Sequence, residues 1–133
     1  MISPAAPELG GNPRLELGFR GGLSEKLTVD FGAATIGLRT ATVTVSRFYI
    51  ESGRTERGFW RALNASMVEV GSGEFLATEP ITNIGPGYGT FTVNTALSFR
   101  YLVFTAQANI SGGNPSPSES DNSDYFVRQI ETK

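Results

Sequence analysis

The chain has 133 residues, a length that suits one domain and is enough to bury a core without disulfides or metal. A net charge of −2 gives no broad attraction to nucleic acid or to an anionic membrane surface. With no Cys and no His, disulfide frameworks, thiolate metal sites and the common Ser-His and Cys-His catalytic groups are excluded.

Residues 1–13, rich in Pro, Gly and Ala, read as an extended N-terminal arm. The first residues lack the basic and apolar regions of a secretory signal, so the expectation is either a protein outside secretion or a start that replaces a removed signal. No apolar run is long enough to span a bilayer as a helix.

Residues 14–133 read as a single β domain. Leu15, Leu17 and Phe19 alternate with polar residues and glycine, as do Leu27, Val29 and Phe31, with Gly21-Gly22 between them as a turn. Residues 41–50 form a longer strand whose apolar face switches between Val45 and Phe48, which predicts a bulge or a crossing between sheets. Residues 51–58 read as a polar hairpin loop leading into Phe59-Trp60-Arg61-Ala62-Leu63. Further strands are expected at 65–70, 74–78, 88–94, 97–108 and 124–131. Their expected connectors are Gly71-Ser72-Gly73, Gly85-Pro86-Gly87 and Gly112-Gly113-Asn114-Pro115. The pattern predicts an all-β, two-sheet antiparallel sandwich.

Within 97–108, Phe99, Tyr101 and Val103 alternate with Leu102, Phe104 and Ala106, so both faces are apolar. Taking Leu102 and Phe104 as the outer face, something must cover them: the arm, a loop or another chain. They are therefore candidate interface residues.

The segment from Tyr101 to Gly112 resembles the F strand and following turn of fibronectin type III and related immunoglobulin-like domains. Tyr101, Val103, Asn109 and Gly112 match that pattern; Thr105 and Gln107 depart from it, and Thr95 stands where a Leu is usual. The resemblance implies that Pro115-Ser116-Pro117-Ser118 is an F–G loop, that Tyr125–Glu131 is a G strand, and that the protein is a binding or spacer module.

Candidate sites are few. Carboxylates are present, but none has a recognisable catalytic setting, and Gly71-Ser72-Gly73 lacks the strand-turn-helix context of a hydrolase nucleophile. Glu119, Asp121 and Asp124 offer hard oxygens in one loop and are the candidate calcium ligands, against a reading as turn residues. No other cofactor is expected. Arg47, Arg54, Arg57 and Arg61 form a basic stretch opposite an acidic C-terminal one, which suggests contact between copies or docking on a partner. Nine of the eleven basic residues are Arg, the cation favoured at interfaces. Trp60 and Tyr88 are candidates for stacking on sugar rings. Two Asn-X-Ser motifs, at Asn64 and Asn109, are of chance frequency.

The leading expectation is a non-enzymatic structural subunit, such as a bacteriophage capsid decoration or tail protein, or a surface-layer or filament subunit. It would be located in a virion or at the cell surface. The alternative is an extracellular fibronectin-like or carbohydrate-binding module.

Overall fold

The structure, a computed structural model, describes residues 16–20, 23–33, 37–51, 54–78, 87–111, 114–115 and 124–132. The arm at 1–13 lies outside them. Every element is a strand: β1 Glu16–Arg20, β2 Leu23–Ser24, β3 Lys26–Asp30, β4 Thr40–Ser46, β5 Ile50–Glu51, β6 Arg54–Leu63, β7 Glu69–Leu76, β8 Gly89–Asn94, β9 Tyr101–Ser111, β10 Asn114–Pro115 and β11 Asp124–Thr132.

The strands form two antiparallel sheets. One has the order β2-β1-β11-β4-β8. In the other, β9 and β6 are central; β3 and β10 flank β9, and β5 and β7 flank β6. Reduced to the eight principal strands, the orders are β1-β11-β4-β8 and β3-β9-β6-β7. Among those eight, only β6 to β7 is a hairpin within a sheet; every other connection crosses from one sheet to the other. This is the connectivity of a jelly roll. The expected two-sheet antiparallel sandwich is therefore present. β9 lies in the second sheet and β11 in the first.

The face switch expected after Val45 is one of these crossings. β4 belongs to the first sheet and β5 to the second; the chain turns at Arg47, whose φ is 56°. Glu56 holds the turn: its backbone N–H donates to the Tyr49 carbonyl, and its carboxylate accepts the Tyr49 N–H at 3.0 Å.

The core follows the period of two. Ala41, Val43 and Val45 of β4 face Val29 of β3, Trp60 and Ala62 of β6, and Leu102, Phe104 and Ala106 of β9 within one buried cluster. At one side of the core Phe48, Phe75, Phe91 and Tyr125 pack ring on ring. Phe75 stacks on Phe91 at 4.0 Å and meets the edge of Tyr125 at 5.2 Å. At the other end the β3–β4 and β8–β9 connections close the core, Phe31 against Phe99 at 5.9 Å.

Tyr125 is fully buried and its hydroxyl donates to the Thr105 carbonyl at 2.7 Å, tying the two sheets together. Burial alone pushes this hydroxyl far above the ordinary tyrosine range. We expect Tyr125→Phe to cost about 1 kcal/mol in urea unfolding, through the one lost bond. A loss indistinguishable from zero would mean that this tie contributes nothing.

One expected pair of strands is a single strand. Residues 65–67 form the turn between β6 and β7, and Gly71-Ser72-Gly73, expected as a connector, runs through the middle of β7. The glycines are there because Trp60 crosses from the neighbouring strand. A Cβ on Gly73 would lie 2.7 Å from the indole nitrogen. The same device recurs one step along the ladder, where Phe75 lies over Gly58. Bare backbone on one strand accommodates a large ring from the next.

Candidate interaction surface

The residues read from sequence as an interface separate into two groups. Leu102 and Phe104 are not outer-face residues. Both are 0% exposed and belong to the core between the sheets, so the assignment of faces on β9 is reversed. The outer face of β9 carries Tyr101 and Val103, and Val103 is itself only 8% exposed. On the outer side Val103 is covered and Tyr101 is only half-buried, and the core side of the strand is the one taken for the outside.

Arginines lie against aromatic rings in several places. Four of them lie over aromatic rings of the same chain: Arg47 over Phe126, Arg61 over Phe59, Arg100 over Tyr101 and Arg128 over Tyr88, at 5.0–5.9 Å from the ring centroids. A guanidinium on an exposed ring contributes about 0.5–1 kcal/mol and shields apolar surface that a sandwich would otherwise present to water. Arg57 and Arg61 also pair with Glu74 and Glu69 of β7, at 3.1 and 3.4 Å. Two of the four arginines of the basic stretch are therefore compensated by the neighbouring strand. Arg54 is half-buried at the start of β6. Of the acidic C-terminal residues, Glu119 and Asp121 lie outside the described residues, as does the side chain of Asp124, while Glu131 is exposed on β11.

The sugar-stacking candidates divide in the same way. Trp60 is 8% exposed, packed in the core against Gly71 and Gly73, and has no open ring face to offer a ligand. Tyr88 is half-exposed, with Arg128 over its ring. Of the calcium candidates, Glu119 and Asp121 lie outside the described residues and Asp124 begins β11 with its side chain undescribed. Among the described residues no group of three or more acidic side chains could hold a metal ion.

Arg100 and Asp30 form the best-defined polar contact. Nε donates to Oδ1 at 2.9 Å and Nη2 to Oδ2 at 3.1 Å, a forked pair that joins the end of β3 to the start of β9. Asp30 Oδ1 also accepts the Gly32 N–H. The Arg100 bonds first, and then the Gly32 N–H, hold the Asp30 carboxyl below its usual range. A carboxyl depressed in the folded state stabilises the fold above its unfolded value of about 3.9. That contribution disappears as pH falls through the folded value. Comparing the wild type with Asp30→Asn by thermal melting from pH 6 to pH 2, we expect the wild type to lead at pH 6 and the gap to close on acidification. A gap independent of pH would remove Asp30 as the titrating group.

Beside this pair lies a recess of about 260 Å³, lined by Ala33, Asn64, Ala65, Ser66, Ser98, Phe99 and Arg100. The β6–β7 turn and the β8–β9 connection that form it also display Met67, Val68 and Leu97, each more than half exposed. Sequence reading missed this apolar rim, because Met67 and Val68 fell inside an expected strand. The Asn64 side chain shapes the turn by accepting the N–H groups of Ser66 and Val68.

Two sheet edges lie side by side along the remaining flank, β7 and β8. Between them is a groove of about 240 Å³ with Val45, Phe48, Phe75 and Phe91 in its lining. No family model, curated protein or solved structure matches the chain.

Proposed function

We propose that the chain is a non-enzymatic structural subunit of a larger assembly, and that a virion component is the best instance of that class. The observation that carries this reading is the strand order, eight principal strands in a jelly roll, an architecture recurrent in viral capsid domains. The support is by analogy of fold, since fold alone does not fix function. The surface is consistent with it. Met67, Val68 and Leu97 form an apolar rim at one end. The test is native context: adjacent capsid or tail genes, and sedimentation of the native protein with particles. A protein that sediments only as free subunits, encoded away from such genes, overturns the reading.

A second reading is a carbohydrate-binding module, because lectin domains also use the jelly roll and the recess beside Arg100 is open and polar. Glycan-array binding abolished by substitutions at Ser66 or Ser98, with Trp60 fluorescence unchanged, would favour it.

A further inference from the structure

The four sheet edges are not alike. β2 is two residues long; β3 carries Lys26 and Asp30; β7 carries Glu69 and Glu74, both in ion pairs. Short length and charge are what keep a sheet edge from pairing with another chain. β8, Gly-Thr-Phe-Thr-Val-Asn, has neither charge, proline nor register shift against β4. It ends its sheet.

The direction of its backbone groups follows from one bond. Thr95 N–H donates to the Arg39 carbonyl, and these residues continue the β4–β8 register, in which Thr40 faces Asn94. Bonded and non-bonded pairs alternate along an antiparallel ladder. Hence Phe91 and Val93 direct their N–H and C=O groups to β4, and Thr90, Thr92 and Asn94 direct theirs away from it. Among the described residues nothing pairs with that side. The side chains of the same three residues are exposed on the outer face. Beside the edge, the groove to β7 has the stacked Phe75 and Phe91 rings in its lining, with Leu76 45% exposed at its rim.

We propose that β8 pairs antiparallel with β8 of a second copy, joining the first sheets of two molecules into one continuous sheet about a two-fold axis. This rests on the reading of the chain as an assembling subunit and names its interface. The edge is self-complementary. With Thr92 on the axis, Thr90 of each copy faces Asn94 of the other, and the three outward residues exchange six hydrogen bonds. On the outer face Thr92 meets its own image, a favourable cross-strand pair. On the inner face Phe91 meets Val93, beside the apolar groove. The strand carries no charge, and at residue 92, which faces its own image across the axis, a charge would meet its like.

The test is light scattering across a concentration series, with hydrogen exchange read at Thr90, Thr92 and Asn94. We expect mass to rise to twice that of the chain, with those three amides slowing as dimer forms. Thr92→Pro removes only an outward N–H, so it spares the β4–β8 ladder. Thr92→Lys sets two cations on the axis and is solvated in the monomer. Both variants should remain monomeric, with unchanged circular dichroism, at concentrations where the wild type is dimeric. A wild type that stays monomeric throughout overturns the proposal, and leaves the assembly reading to its own particle test. Self-association that persists in folded Thr92→Lys overturns the β8 interface and leaves the subunit reading standing.

Discussion

Phe104→Ala is expected to lower stability by about 3–5 kcal/mol, the usual cost of emptying a buried phenylalanine site. In a domain of this size that is a fall in melting temperature of roughly 10–15 °C. The ring is fully buried, lies on the central strand β9, and is flanked across the ladder by Trp60 and Leu27. Thermal unfolding by circular dichroism measures the loss. Leu97→Ala, at a site 62% exposed, is the control and should change stability by less than about 0.5 kcal/mol. A Phe104 variant as stable as the Leu97 variant would return Phe104 to the surface and with it the interface role read from sequence.

Gly58→Val is the second large effect. A Cβ at residue 58 would sit 2.1 Å from the Phe75 ring, well inside contact distance. The ring has little room to retreat, because its far neighbours are Phe91 at 4.0 Å and Tyr125 at 5.2 Å. We expect a loss of at least the roughly 1–3 kcal/mol typical of overpacking. The cause is steric, so the substitution should couple to Phe75. Gly58→Ala combined with Phe75→Leu should be less destabilised than the sum of the single variants. Additive losses in that cycle would show that the glycine serves backbone freedom and not the ring.

These sites mark where sequence reasoning succeeds and fails. Alternation in Leu27-Thr-Val29 or Thr42-Val-Thr44 names a core face directly, because one side is wet. On β9 it cannot, because Tyr101 and Val103 are apolar too and only the pairing with β3 and β6 decides which side is inside. Gly71-Ser72-Gly73 is locally a turn signal. Its role as a seat for Trp60 depends on a residue on another strand, invisible to any short window. The change of face after Val45 was legible because a crossing rewrites the local period. The jelly-roll order was not, since six of its seven principal connections join different sheets and leave no local trace. The interaction surface was legible only in composition. The surplus of arginine pointed to contacts, but four of those contacts are with rings of the same chain. The bare edge of β8 becomes informative only once its neighbours are known.

The place of β11 has a consequence for how the chain is made. It is the last strand in sequence, yet it sits inside the first sheet, between β1 and β4. This strand supplies Tyr125, Val127 and Ile130 to the core. During synthesis β1 and β4 leave the ribosome long before the strand that joins them exists. Until then local pairing can form the β6–β7 hairpin and shorter ones such as β1–β2. The first sheet therefore closes only after translation of this segment is complete, and the nascent chain must be kept from pairing its exposed strands with other molecules until it does.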